Sequence, residues 1–410
     1  MEKNLNEIFG LNVRKDFAFF ETRKEYTYLD SSMTTLKPRL LSEIMTDLYT
    51  DNIVSYARSE NTLLEITNQR YLKAYDKIAK IINSDPEEII PTPGTTDGLN
   101  KLARSIIADL HDGDEIILGE LDHASAILPW MKEIKLTKKD ITIRWYQLKN
   151  LVIDLDHLAS IINPQTKLIV LAGVYNTTSA LNPVKEVKAL MGERLVVVDG
   201  AQLIGHYAID VKDWNIDFLV FGAHKIFGPT GIGILYGKKA LLDKMAPFTY
   251  GGGMNSDFTH DEIFTRDDYP DKFLGGTPNV ADFIAMAEIL EWFYTTYDIH
   301  DVSTYLISLK KYAEEELNKL GNITIFNPTI NASNIIFKVN NVSAQDVNSH
   351  LNKNNVIVRP GSSCVKINNN VFEGLNMLRA SFHVYNTKED IDKLISVLKS
   401  GGDFIDKIFG

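Results

Sequence analysis

A single cysteine, Cys364, is all the thiol chemistry in 410 residues. One thiol cannot close an intramolecular disulfide, which fits a reducing compartment. No apolar run approaches the roughly 18–20 residues needed to span a bilayer. The opening segment MEKNLNEIFGLNVRKDFAFF is broken by charges where a signal peptide would carry its apolar core. A cytoplasmic protein without a membrane partner is expected. Excess positive charge is missing as well: 43 Lys and Arg stand against 54 Asp and Glu, a formal net charge of −11. That balance argues against broad phosphate neutralisation, and so against a nucleic-acid partner, while leaving room for a local anion pocket. No internal repeat, low-complexity tract or long Pro/Gly/Ser linker interrupts the chain.

What is present reads as a soluble α/β protein. The length exceeds one typical core, so two domains are expected. Between residues 85 and 237 short apolar runs alternate with helical periods. DEIILGE (114–120), TKLIVLAGVY (166–175), ERLVVVDG (193–200) and IDFLVFGAHK (216–225) are predicted strands. Their Val, Ile and Leu runs lack polar alternation, the pattern of strands covered on both faces in a largely parallel sheet. TTDGLNKLARSIIADL (95–110) and VKEVKALMG (184–192) carry helical spacing between them. The texture changes near 300. There an amphipathic helix (301–320), a strand (331–339) and a final helix (387–400) suggest a smaller α+β domain. The expected division is an N-terminal segment, 1–25, packing with the small domain; a large domain, 26–295; and a small domain, 296–410.

In open α/β sheets ligands gather at the carboxyl ends of the strands, and residues able to do chemistry follow these runs. VVVDGAQ ends a strand on Asp199, followed by Gln202. FGAHK ends the next on His224 and Lys225. A lysine at the mouth of an apolar crevice can attack a carbonyl and form a Schiff base. Each residue alone also has a plain reading, Asp199 as a helix cap and Lys225 as a solvated loop lysine. Together they match what pyridoxal phosphate enzymes require: a lysine, an acid for the pyridinium nitrogen, and phosphate donors at a helix N-terminus. PGTTDG supplies the last, with Gly94, Thr95 and Thr96 opening the first predicted helix. His123 and Asn176 each follow a strand, and the histidine could stack on an aromatic cofactor. The other glycine-rich pieces, GPTGIG and GGG, fit neither dinucleotide nor P-loop spacing. No metal site is assigned.

In the order GTTDGLN, VDGAQLIGH, HKIFGPTGIGILYGK, GGTPN and LRASFHVYNT, the chain resembles the class V aminotransferases of PLP fold-type I. It is most similar to their SUF-pathway group of cysteine desulfurases, from YLDSSMTTLKP (28–38) to YNTKEDIDKL (385–394). The resemblance implies a large domain around a mostly parallel seven-stranded sheet, pyridoxal 5'-phosphate as cofactor, and a homodimer. It implies that Lys225 is the Schiff-base lysine, Asp199 the pyridinium partner, and His123 the stacking residue that assists proton transfer. Asn176 and Gln202 would contact the ring and nearby atoms, with Asn176 also facing the substrate. Thr95, Thr96 and His224 would bind the phosphate, joined by Thr277 from the neighbouring subunit. Arg379 would clamp the substrate carboxylate, with Arg359 beside the cysteine loop, and Cys364 would be the sulfur-accepting nucleophile.

The sequence departs from the group's pattern at several points. The usual GHHC reads GSSC, with Ser362 and Ser363 in place of histidines. VKINNN follows the cysteine where small residues are usual, and Gly222 stands where a serine is usual. Pro93 replaces a basic residue, and Arg58 in SYARSEN is the nearest match to an HRGxH loop. The expected reaction converts L-cysteine to L-alanine with the sulfur left on Cys364 as a persulfide. An acceptor or scaffold protein would then receive it, for iron-sulfur cluster assembly or other sulfur transfer. Selenocysteine lyase, cysteine lyase, or an epimerase or aminotransferase on the same scaffold is the alternative, with Cys364 dispensable. A PLP-fold protein acting only as a scaffold is opposed by the intact lysine, aspartate and histidine.

Overall fold

The computed structural model describes residues 3–56, 62–361, 365 and 376–400. A seven-stranded sheet forms the centre. Its strands in chain order are β1 (Ile89–Thr92), β2 (Glu115–Gly119), β3 (Thr142–Tyr146), β4 (Thr166–Ala172), β5 (Leu195–Asp199), β6 (Phe218–Gly222) and β7 (Gly233–Gly237). Across the sheet they lie β1-β7-β6-β5-β4-β2-β3. The neighbours from β6 to β3 pair in parallel, and β7 runs antiparallel to both β1 and β6. This is the expected mostly parallel sheet of seven strands.

Residues along each central strand alternate between two cores. Val196 and Val198 of β5 belong to one hydrophobic cluster, and Val197 belongs to another. Leu219 and Phe221 of β6 likewise face away from Phe218 and Val220. Both faces are dry, which explains why the strands read as unbroken apolar runs. Helices cover them, among them α1 (Arg39–Asp51), α2 (Thr62–Ile82), α3 (Thr95–Asp109), α4 (Ala124–Thr137), α5 (Val184–Met191) and α6 (Val280–Thr296). Helix α3 lies directly on β6: a Cβ at Gly98 would stand 2.4 Å from Val220 Cγ1. Only glycine permits that approach, and the approach sets where the first turn of α3 ends up relative to the strand ends.

Beyond α6 the chain builds a second sheet. Strands β8 (Ile323–Ile325), β9 (Asn334–Val339), β10 (Arg359–Pro360) and β11 (Leu378–Ser381) pair antiparallel in the order β8-β9-β11-β10. Helices α7 (Ile299–Asn318), α8 (Ala344–Lys353) and α9 (Lys388–Ser400) accompany it. The N-terminal segment is tied to this part of the chain. Lys3 pairs with Asp301 at 2.7 Å, Arg14 with Asp390 at 2.6 Å, and the Gly10 amide donates to Val384 O at 2.7 Å. Thr27–Tyr28 pairs in parallel with Val356–Ile357. Among the described residues no helix is long and apolar enough to cross a membrane.

The predicted strands 166–175 and 216–225 end earlier, at Ala172 and Gly222. The last residues of each run leave the ladder, and Ala223–Lys225 form a single 3-10 turn. The apolar run therefore includes the turn that presents the chemistry. Strand β7 is absent from the sequence reading, because its first glycine sits inside the turn-like GPTGIG.

Candidate active site

The carboxyl ends of β4, β5 and β6, the start of α3 and strands β10 and β11 enclose a cavity of about 880 Å³. His123, Asn176, Asp199, Gln202, His224, Lys225, Arg359 and Arg379 all line it, as do Thr95 and Thr96. More than 250 residues separate the first of these from the last, and one crevice gathers them.

Lys225 is half-buried on the 3-10 turn after β6. The His224 carbonyl fixes that turn by accepting from Thr34 Oγ1 at 2.9 Å, Thr35 N at 3.1 Å and Lys37 Nζ at 2.9 Å. Burial pushes Lys37 down to about 7. The His224 ring is pushed down to about 4, first by burial and then by Lys225 and Lys37, so it is neutral at physiological pH.

Asp199 closes β5, only 5% exposed, and its Oδ1 accepts the Ala201 amide at 3.0 Å. Gln202 donates to Ser32 O at 2.7 Å. His123 caps α4, where its Nδ1 accepts the Ser125 amide at 3.1 Å. The neutral ring therefore carries its proton on Nε2. Burial holds His123 below the usual histidine range; Asp199 opposes this, and Lys225 and Arg379 add to it.

Helix α3 begins beside Lys225. Gly94 has φ +151°, and a Cβ built there meets nothing within 4 Å, so the first turn is open. Thr95 Oγ1 is buried there without a hydrogen-bond partner. The free first-turn amides, an unsatisfied hydroxyl and the nearby lysines together suit a phosphate. Thr96 also lines the cavity, but its hydroxyl is engaged with Ser125 Oγ at 2.8 Å. A Cβ at Gly222 would lie 3.5 Å from Thr95 Oγ1, so a serine hydroxyl there would be directed to the same place. Opposite, the Asp199 carboxylate suits a protonated ring nitrogen. These features fit pyridoxal phosphate.

Arg379 and Arg359 are directly paired across β11 and β10. Arg379 is only 3% exposed; its Nη2 donates to Asp30 Oδ1 at 2.9 Å and its Nη1 to Asn176 O at 2.6 Å. Burial lowers its pKa and Asp30 opposes that, and a guanidinium stays charged regardless. Two adjacent guanidinium groups at one end of a cavity call for an anion such as a carboxylate.

Thr277 lies outside the cavity, exposed in the loop before α6. Cys364, Ser362, Ser363 and Arg58 lie outside the described residues. Val365, next in the chain to Cys364, is buried in a cluster with Leu121, Tyr175, Met377 and the cavity-lining Ala172. The sequence reading assigns no role to Asp30 or Lys37. Asp30 closes the short apolar stretch TYLD much as Asp199 closes VVVD, and that likeness was the available signal.

Behind the site two histidines meet across the junction with β11. The rings of His206 and His383 are 5.1 Å apart, and both residues are buried. Burial pushes His206 down to about 4 and His383 well below the usual range. In the unfolded chain a histidine titrates near 6.5. Between pH 6.5 and 4 the unfolded state thus binds the extra proton, and stability falls as pH falls. The full loss from His206 is on the order of 3 kcal/mol. Urea unfolding of His206→Asn against the parent should show the difference: the parent loses more stability across that window. Parallel curves would show that His206 does not titrate with folding.

The family model for class-V aminotransferases matches residues 27–394. A protein of Ureaplasma parvum named "Probable cysteine desulfurase" is 36% identical over 389 residues, covering 93% of this chain and 95% of its own. A cysteine desulfurase of Serratia proteamaculans is 33% identical, covering 91% and 92%. Among solved structures, the cysteine desulfurase CsdA of Escherichia coli in its S-sulfonic acid form superposes with a TM-score of 0.89. It is 30% identical over 98% of this chain and the whole of that one.

Proposed function

Because the chain belongs to the class-V aminotransferase family, we propose that it is a pyridoxal 5'-phosphate-dependent cysteine desulfurase that converts L-cysteine to L-alanine. The observation that carries this reading is the single cavity holding an amine, a carboxylate, an imidazole and two guanidinium groups. When bound, pyridoxal phosphate supplies an electron sink for negative charge at the substrate Cα.

The chain's own groups do the rest. Thr95, the first-turn amides of α3 and His224 hold the phosphate, with Thr96 beside them. Asp199 keeps the ring nitrogen protonated, and His123, Asn176 and Gln202 fix the ring's orientation. Lys225 anchors the cofactor through its amine and serves as the base for the Cα proton. Arg379 and Arg359 grip the substrate carboxylate. The Cys364 thiolate attacks the substrate sulfur: an S–S bond forms and the substrate C–S bond breaks. The electron pair of that bond stays with the three-carbon fragment, which takes up a proton at Cβ, regains at Cα the proton held by Lys225, and leaves as alanine. Sulfur passes from one thiol to another, so no external oxidant is consumed.

Two surface features support a homodimer. Thr277 is exposed and ready to reach a neighbouring subunit's phosphate site. The hairpin Asn255–Phe258 with Ile263–Thr265 exposes Phe258 at 70% and Ile263 at 64%, apolar area that a second copy would cover. The protein works in the cytoplasm, where a persulfide is passed to an acceptor or scaffold protein for iron-sulfur cluster assembly or other sulfur transfer. Ser362 and Ser363 beside Cys364 bear on which acceptor is used.

The test is a substrate panel on the cofactor-loaded protein. Alanine released from L-cysteine, with no keto acid or D-amino acid from other amino acids, supports the reading. Preference for selenocysteine, or turnover by transamination or epimerisation, would replace it with the sister activity observed.

A further inference from the structure

Three consecutive main-chain carbonyls of the active-site loop are held by three side chains from the second sheet and its approach. Arg379 Nη1 donates to Asn176 O at 2.6 Å, Asn334 Nδ2 to Thr177 O at 2.9 Å, and Asn327 Nδ2 to Thr178 O at 3.0 Å. Both asparagines are fully buried. Their amide orientation is fixed by partners that can only accept, and Asn327 Oδ1 takes the Ile336 amide at 3.0 Å. Asn327 Nδ2 also reaches Asn334 Oδ1 at 3.2 Å, so the two act as one unit. Within β9 and β11, Asn334 pairs with Ser381 and Ile336 with Arg379. Asn334 and Arg379 are thus registered on the same small sheet, and Asn327, two residues past the end of β8, is bonded to it through the Ile336 amide.

Arg379 gives one N–H of Nη2 to Asp30 and one of Nη1 to Asn176 O, and its Nε is buried with no partner. A guanidinium that turns to set two parallel N–H groups on a substrate carboxylate loosens its hold on Asn176 O. The loop's own main-chain bonds, Tyr175 N to Ala180 O at 3.2 Å and Ser179 N to Tyr175 O at 2.9 Å, close its base, while the carbonyls of residues 176–178 accept from the side chains of the second sheet and its approach.

We propose that Asn334 and Asn327 are positioning residues that hold the carbonyls of residues 177 and 178, keeping Asn176 in place while Arg379 turns to the substrate carboxylate. The proposal rests on the roles given above to Asn176 and Arg379. It ties substrate recognition to the packing of the second sheet against the loop after β4.

The experiment has two arms, on Asn334→Ala and Asn327→Ala. In the cofactor-free proteins, hydrogen exchange of amides 177–181 should quicken while β4 stays protected as in the parent. In the loaded proteins, KM for L-cysteine should rise roughly three- to tenfold, the worth of one neutral hydrogen bond, with kcat changed less. Loop exchange and KM both equal to the parent's would overturn the proposal. A parent that does not turn over L-cysteine would instead fail the desulfurase reading, and the exchange arm would still judge the clamp. Should neither variant fold, exchange in the parent decides. Amides 177–181 as slow as those of β9 support the clamp, and amides as fast as the exposed 255–265 hairpin contradict it.

Discussion

Lys225→Ala is expected to remove the visible absorbance of the bound cofactor and to lower turnover by roughly four orders of magnitude or more. Lys225 stands where β6 gives way to the 3-10 turn Ala223–Lys225, its side chain lining the cavity rather than packing the core. The turn is held by main-chain bonds that alanine keeps: Ile226 N to Ala223 O at 3.0 Å, and the donors gathered on His224 O. Folding should therefore survive, and unfolding of the cofactor-free variant should match the parent. Two functions vanish together, the covalent anchor and the base for the Cα proton. His123 cannot substitute for the amine, because its Nδ1 is committed to the Ser125 amide and its pKa is held low by burial. A visible spectrum unchanged from the parent would mean that some other group anchors the cofactor.

Cys364→Ser carries the second large effect, with the opposite spectral outcome. The cofactor groups Thr95, His123, Asp199, His224 and Lys225 are untouched, so the absorbance should remain. Alanine formation from L-cysteine should fall by roughly a thousandfold or more, because a serine hydroxyl at neutral pH is a far weaker nucleophile toward sulfur than a thiolate. No other cysteine in the chain can take over. Arg359, five residues before Cys364, lines the cavity, and Val365, directly after it, packs with the cavity-lining Ala172. The described residues Arg359 and Val365 on either side of Cys364 thus lie at or beside the site. Unreduced turnover in the variant would make the thiol dispensable and favour a lyase or transferase that leaves sulfur on no protein atom.

The sheet and the cofactor side of the site were legible for a physical reason. Strands buried on both faces must be apolar throughout, so β2, β4, β5 and β6 stand out, and the polar residues that end β5 and follow β6 line the crevice. Asp199 and Lys225 were found in this way. Strand β7 was hidden because it begins with glycine in a turn-like stretch, and glycine there is required by packing: a Cβ at Gly233 would stand 2.4 Å from Phe221 O. Asn327 and Asn334 carry no local signal at all, and Asp30 has only its place at the end of TYLD. Asp30 meets Arg379 across 349 positions, and Asn334 meets Thr177 across 157. Contacts of that separation are set by how the second sheet docks, which no spacing along the chain encodes. Arg379 was identified by resemblance, but its buried ion pair with Asp30 and its grip on the Asn176 carbonyl emerge only from the fold.

The central claim is that this cavity removes sulfur from L-cysteine and leaves it on Cys364. The most direct measurement is a single-turnover incubation of the cofactor-loaded protein with L-cysteine, without reductant, followed by intact and peptide mass analysis. The account predicts a gain of one sulfur atom on the peptide that contains Cys364, one alanine released per sulfur gained, and neither in Lys225→Ala. Alanine released at full yield while that peptide keeps its original mass would contradict it.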